Sequence, residues 1–163
     1  MGYNAPVPAF RFYHPIEVRY GDLDPQAHVN NAKYLTYMEQ ARIAYIIALG
    51  LWDGRSFMDI GIILAEARVT FLAPVYFSQQ VRVGVRVAEI RNKSLTMEYS
   101  LEDAESGAQL AVGSSVLVAY DYRENRTLPF PKSWRETIGA FEGLSVNNQS
   151  ENPGLDAAHP AGR

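Results

Sequence analysis

The sequence predicts one α+β domain, an antiparallel sheet laid against a single long helix. Three observations lead there. A strand-like segment precedes one long helical run between Asn31 and Gly50. Four strand-like runs follow with no second long helix between them. The joins between these runs, such as "RNKS" and "AESG", are short and turn-rich, so successive strands form hairpins and run antiparallel.

The first strand is "IEVRYGD", residues 16–22, in which Ile16, Val18 and Tyr20 alternate with Glu17 and Arg19. Gly21 and Pro25 break it. Asn30 or Asn31 caps the following helix, and Gly50 closes it in the left-handed conformation that glycine adopts freely. Tyr34, Met38, Ala41, Tyr45 and Ala48 share one helical face. Leu35, Leu49 and the isoleucines widen that stripe, which marks a helix buried on most sides. Next comes "GIILAEARVTFLAP" (61–74), with Ala67, Val69 and Phe71 set against Glu66, Arg68 and Thr70. "QVRVGVRVAEI" (80–90) turns four valines one way and Arg82 and Arg86 the other. "SLTMEYSLED" (94–103) sets Leu95, Met97, Tyr99 and Leu101 against Thr96, Glu98 and Ser100. "QLAVGSSVLVAYD" (109–121) is longer and mostly apolar, and "PFPKSWRETIGAFE" (129–142) reads as a short helix with Pro131 near its start. The boundaries are an arm at 1–13, the domain at 14–142, and a tail at 143–163 too poor in large apolar residues to order itself.

With 163 residues the chain has room for one well-packed core. A net charge of −3 with no basic block argues against a nucleic-acid partner. Cysteine is absent, which removes disulfides, thiolate nucleophiles and cysteine–zinc sites. The longest apolar run, "AYIIALGLW" (44–52), is too short for a bilayer, and the N-terminus lacks a secretion pattern, so the expectation is a cytoplasmic protein with no membrane partner. One helix covers one face of such a sheet. The other face calls for a second copy, hence a homodimer or a homotetramer.

The segment that carries chemistry is "YGDLDPQAHVNNAKYLTYMEQAR" (20–42), with Asp22, Asp24, His28, Asn30 and Asn31 crowded before the helix. On spacing alone, Asp24 reads better as a turn cap beside Pro25 than as a reactive carboxylate. Asp22 and Asn30 read as loop-forming residues, and Glu39 and Arg42 as an i, i+3 ion pair.

Strand, D-x-D-P-x-x-H-V-N-N, long helix and meander together resemble the hotdog-fold acyl-CoA thioesterases of the 4-hydroxybenzoyl-CoA thioesterase family. "FLAPVYFSQQVRV", "RNKSLTMEY" and "AVGSSVLVAYD" follow in the expected order, so the resemblance spans about residues 14–142. It implies a hotdog sheet of five to six strands wrapped around the central helix. It also implies thioester hydrolysis without metal or redox cofactor, and a catalytic second carboxylate, here Asp24. This chain departs from many relatives in having Asn31 where they place His or Tyr, and Ser78, Gln79 and Gln80 where an Asp is common.

A thioester needs a delivered oxygen and a home for the developing oxyanion. Asp24 serves the first as nucleophile or general base. Free N–H groups at a helix N-terminus serve the second. His28 and Asn31 are the other candidate catalytic residues. Tyr34 and Met38 are the candidate lining of an acyl tunnel, as well as core. Arg91 and Lys93 are the candidate contacts for coenzyme A phosphates, as well as a solvated hairpin tip. A hydrolase of acyl groups on acyl carrier protein and a non-catalytic acyl-binding or regulatory protein are the competing functions. A dehydratase fits less well, because the central helix has Glu39 but no His.

Overall fold

The computed structural model describes residues 10–144, so most of the expected arm and nearly all of the expected tail lie outside the described residues. The elements are β1 (Phe12–Ile16), α1 (Asn31–Ala48), β2 (Ile62–Phe71), β3 (Val81–Ile90), β4 (Ser94–Asp103), β5 (Gln109–Asp121), β6 (Arg126–Thr127) and α2 (Lys132–Glu142). They form one six-stranded antiparallel sheet in the order β1-β3-β4-β5-β2, with β6 paired to the end of β5.

The alternation in sequence becomes the two faces of this sheet. Val81, Val83, Val85 and Val87 of β3 and Leu95, Met97, Tyr99 and Leu101 of β4 point into the core. α1 presents Tyr34, Tyr37, Met38, Ala41, Tyr45 and Ile46 to them. Each such fully buried apolar side chain contributes on the order of 1.5–3 kcal/mol. Gly113 in β5 marks where helix and sheet press hardest: a Cβ there would lie 2.8 Å from Met38 Sδ and 2.8 Å from the Arg68 carbonyl oxygen.

Two expectations shift. The first strand ends at Ile16 instead of running over 16–22, and it starts at Phe12, ahead of the expected domain boundary. The reason is Asp22: its carboxylate accepts the Arg19 backbone N–H (3.1 Å) and winds Tyr20–Asp22 into a 3-10 turn. Val18 stays buried, so the alternation was a true signal of side-chain direction but not of ladder pairing.

The outer face of the sheet is the second. It is not an apolar surface awaiting cover. Arg82 pairs with Glu102 (2.9 Å) and Arg86 with Glu98 through Nε (2.8 Å), and the Arg82 guanidinium lies 4.3 Å over the Tyr13 ring. The surplus apolar surface lies instead along the edge strand β2, where Ile63, Leu64, Phe71 and the adjoining Leu72 are exposed. α1 leans toward β1 and β3, and this leaves an apolar groove of about 880 Å³ between α1 and β2.

Candidate active site

A tight loop carries Asp24. Leu23 and Val29 bridge its ends, Asp24 N–H donates to the His28 carbonyl (2.8 Å), and Ala27 N–H donates to the Asp24 carbonyl (3.0 Å). Pro25 fixes one dihedral and Ala27 takes φ 63°, a left-handed value that costs a residue with a Cβ. The loop hands over to α1 through Asn30, whose Oδ1 caps Ala32 N–H at 2.9 Å. Gly50, with φ 68°, follows the helix end.

The two carboxylates of the motif have separate environments. Asp22 is 1% exposed. It accepts Tyr37 O–H (2.9 Å) and Arg19 side-chain N–H, with the Lys33 ammonium at 3.5 Å. Burial alone would push this carboxyl up, but the hydrogen bonds from Arg19 and Tyr37 and the Arg19 charge outweigh it and hold it below its ordinary value. Asp22 anchors the loop to the underside of α1.

Asp24 is half-buried. Its Oδ1 accepts the backbone N–H of Gln26 (2.9 Å) and of His28 (3.3 Å), which is the capping role. Among the described residues its Oδ2 takes no backbone bond, and only the exposed Gln26 amide, with its NH2 turned inward, reaches it at 3.0 Å. Capping therefore engages one oxygen of the carboxylate and leaves the other without a backbone donor among the described residues.

Asp24 shares a cleft of about 360 Å³ with His28, Asn31 and Tyr34, closed on the far side by Phe71, Leu72, Ala73 and Pro74. His28 pairs with Tyr76 through the backbone and sets its ring edge-on to the Tyr76 ring at 5.1 Å. Asn31 is the first residue of α1, and its Oδ1 accepts Ala32 N–H at 3.0 Å alongside the Asn30 cap. Asn31's own backbone N–H has no acceptor among the described residues. An unpaired donor at the positive end of a helix is a ready site for an anionic oxygen. Tyr34 is buried one turn further on, its ring edge-on to Phe71 at 4.9 Å. Burial, the larger cause, and the Asp24 charge hold its phenol above the ordinary range, so it is a neutral hydrogen-bond donor.

The other sequence candidates lie elsewhere. Met38 is buried against Gly113 and borders a separate inner cavity of about 190 Å³ with Arg42, Leu64, Tyr99 and Ser115. Glu39 pairs with Arg42 at 3.3 Å and lines the groove beside β2, not the Asp24 cleft. Arg91 and Lys93 sit at the β3–β4 turn, at the other end of the sheet, about 30 Å along β3 from the loop that walls the cleft. There Arg91 pairs with Glu89 (3.1 Å) and Lys93 donates to Thr127 Oγ1 (3.5 Å).

The wall at 71–74 was not legible as a site in the sequence. Its only signal is an apolar run, "FLAP", at a strand end with two large side chains exposed. Among the described residues, no three His, Asp or Glu side chains converge as a metal site, and no helix is long and apolar enough to cross a membrane.

Comparison with known proteins bears on this geometry. The Thioesterase-like superfamily model matches residues 18–138. A thioesterase of Thermus thermophilus, crystallised with coenzyme A and Zn, is 36% identical; the match covers 82% of this chain and 96% of that one, with a TM-score of 0.72. The long-chain acyl-CoA thioesterase FadM of Escherichia coli is 24% identical over 132 residues, 76% of this chain and 93% of FadM. The 1,4-dihydroxy-2-naphthoyl-CoA thioesterase Slr0204 of Synechocystis shares the fold at 21% identity, with a TM-score of 0.70 over 78% of this chain and 94% of that one. The D-x-D-P loop, α1 and the wall at 71–74 all fall inside the matched span.

Proposed function

The chain belongs to the thioesterase-like superfamily and is a thioester hydrolase, and from that premise we propose that it hydrolyses acyl-CoA with Asp24 as the group that delivers oxygen. The observation that carries this reading is the shared cleft. A carboxylate with one oxygen outside the backbone hydrogen bonding and an unpaired N–H at the start of α1 line the same 360 Å³ space.

Asp24 Oδ2 attacks the thioester carbon to give a mixed anhydride that water then opens, or it takes a proton from the water that attacks. Either way the C–S bond breaks, coenzyme A leaves as a thiolate that gains a proton, and the acid departs. The Asn31 N–H, with the α1 dipole behind it, holds the carbonyl oxygen as negative charge builds there. His28 sets the loop against Tyr76 and borders the substrate. The relatives that bind coenzyme A or act on long-chain acyl-CoA support the substrate class. A cytoplasmic location goes with this reading.

We also place a second copy along β2, giving a homodimer able to pair into a homotetramer. Its support is the exposed apolar edge and the groove beside it. A panel of acyl-CoAs of graded length, read by release of free thiol, tests the activity. Turnover confined to acyl groups on acyl carrier protein would move the substrate to that partner. Binding without turnover on either would leave an acyl-binding protein.

A further inference from the structure

Four tyrosines are buried among the described residues: Tyr34, Tyr37, Tyr45 and Tyr99. Three of them engage their hydroxyls inside the protein. Tyr37 donates to Asp22 (2.9 Å), Tyr45 donates to Glu142 (2.6 Å), and Tyr99 shares a hydrogen bond with Ser115 (2.6 Å). Tyr34, only 3% exposed, is the exception: among the described residues no acceptor takes its proton. Buried polar groups nearly always find partners, and an unsatisfied one costs about 1–3 kcal/mol. The exception stands on the wall of the Asp24 cleft. Every sealed side-chain nitrogen or oxygen among the described residues has a partner, and the Tyr34 hydroxyl makes no hydrogen bond among them, so it keeps some exposure on the wall of the cleft.

Its direction follows from the helix. Side chains on an α-helix lean toward the N-terminus. Tyr34, three residues after Asn31 on the same face, therefore reaches back over the turn that carries the unpaired Asn31 N–H. The edge-on contact with Phe71 holds the ring. Asp24 is near enough for its charge to be felt, yet no hydrogen bond joins it to Tyr34.

We propose that Tyr34 is a catalytic residue whose O–H donates to the thioester carbonyl oxygen beside the Asn31 N–H. This rests on the assignment of the cleft to thioester hydrolysis. The phenol transfers no proton; it stays O–H while the bond tightens as the oxygen becomes anionic. The one buried tyrosine without an acceptor among the described residues then gains one only when substrate is bound.

Tyr34→Phe tests this, because it keeps the ring against Phe71 and removes only the hydroxyl. The expected result is a fall in kcat of about 100-fold, the usual effect of losing one oxyanion donor, with KM nearly unchanged. Packing damage alone would not alter the substrate's carbonyl bond. A ¹³C-labelled acyl-CoA bound to Asp24→Asn, compared with Asp24→Asn carrying Tyr34→Phe, should show the carbonyl stretch moving to higher wavenumber when the donor is gone. Replacing Tyr34 with 3-fluorotyrosine, a stronger donor of the same shape, should move it lower. An unchanged kcat in Tyr34→Phe, or a carbonyl band indifferent to both changes, overturns the proposal. Full turnover by Asp24→Asn would instead overturn the role of Asp24, with the Tyr34 effect still readable in the chain that keeps Asp24.

Discussion

Tyr37 donates its hydroxyl to Asp22 over 2.9 Å beneath α1, so the first carboxylate of the D-x-D pair is fastened to the helix while the second opens on the cleft. The pair should therefore separate by experiment. Asp24→Asn keeps the Oδ1 that caps Gln26 and His28, so its melting temperature should stay close to that of the parent. Its kcat should fall at least about 100-fold, on the order of 3 kcal/mol of barrier. Asp22→Asn should do the reverse, because Arg19 and Lys33 lose their buried partner: about 3 kcal/mol less stable, with much of the rate kept in the folded fraction. Chemical denaturation and initial rates on the same samples check both. Near-normal kcat in Asp24→Asn would leave the turn cap as the whole explanation of the motif.

Acid should unfold the protein earlier than its core would suggest. The Gln79 amide, then the Ser106 N–H and O–H, hold the Asp103 carboxyl down at about 2, and Asp22 is also held below its ordinary value. A depressed carboxyl stabilises the fold above its unfolded pKa, near 3.9, and that contribution is lost as pH falls. Melting temperatures should therefore drop between about pH 4 and pH 2. Asp103→Asn should flatten part of that slope, and an identical slope in the variant would remove Asp103 from the account.

Gly113→Ala should destabilise the domain by about 1–3 kcal/mol, the range for overpacking a filled core. The added methyl meets Met38, which can bend, and the Arg68 carbonyl at 2.8 Å, which belongs to the paired strand and cannot. Adding Met38→Ala should recover only part of the loss in a urea titration. Full recovery would mean that the backbone contact carries no cost.

The β2 edge should hold the second copy. Leu64→Glu places a charge in the middle of the exposed apolar strip. Light scattering at low micromolar protein should show the parent as a dimer or larger and the variant shifted toward monomer. A parent chain that is a fully active monomer would dismiss the second copy.

A twofold pairing along β2 has a corollary for Arg91 and Lys93. Antiparallel pairing brings the Ile62 end of one strand beside the Phe71 end of the other, and the β3–β4 turn lies at the Ile62 end of its own sheet. A phosphate contact from this turn would therefore be made across the dimer. Changing both residues to Ala should raise KM for acyl-CoA, leave kcat nearly unchanged, and matter less for a pantetheine thioester lacking those phosphates. Equal losses on both substrates would assign the turn to structure alone.

The fold was largely legible because period and turn chemistry dominate it. Four alternating runs and two short joins give β2 to β5, and Asn30 and Gly50 bound α1 within a residue. Where the reading slipped, a side chain overrode the local pattern. Asp22 pulls residues 20–22 out of the strand that Ile16 and Val18 suggest. Arg82 and Arg86 could be assigned to the outer face from sequence, but not their pairing with Glu102 and Glu98, which depends on register. The candidate site is legible as a motif and only in part as a place. Asp24, His28, Asn31 and Tyr34 converge because the helix start and its preceding loop are contiguous in sequence. Phe71 to Pro74 are some forty residues away and carry no chemical signature, so only the folded chain brings them in.

The proposed division of the Asp24 carboxylate between capping and chemistry bears on how this motif can change over generations. Replacement by Ala would remove the turn's acceptor together with the oxygen proposed to react, so drift away from catalysis by that route would also weaken the loop. Asn keeps the acceptor and gives up only the chemistry. A lineage that abandons hydrolysis while keeping its architecture should accordingly pass through asparagine at this position, and there the genome records lost activity in a protein that still folds.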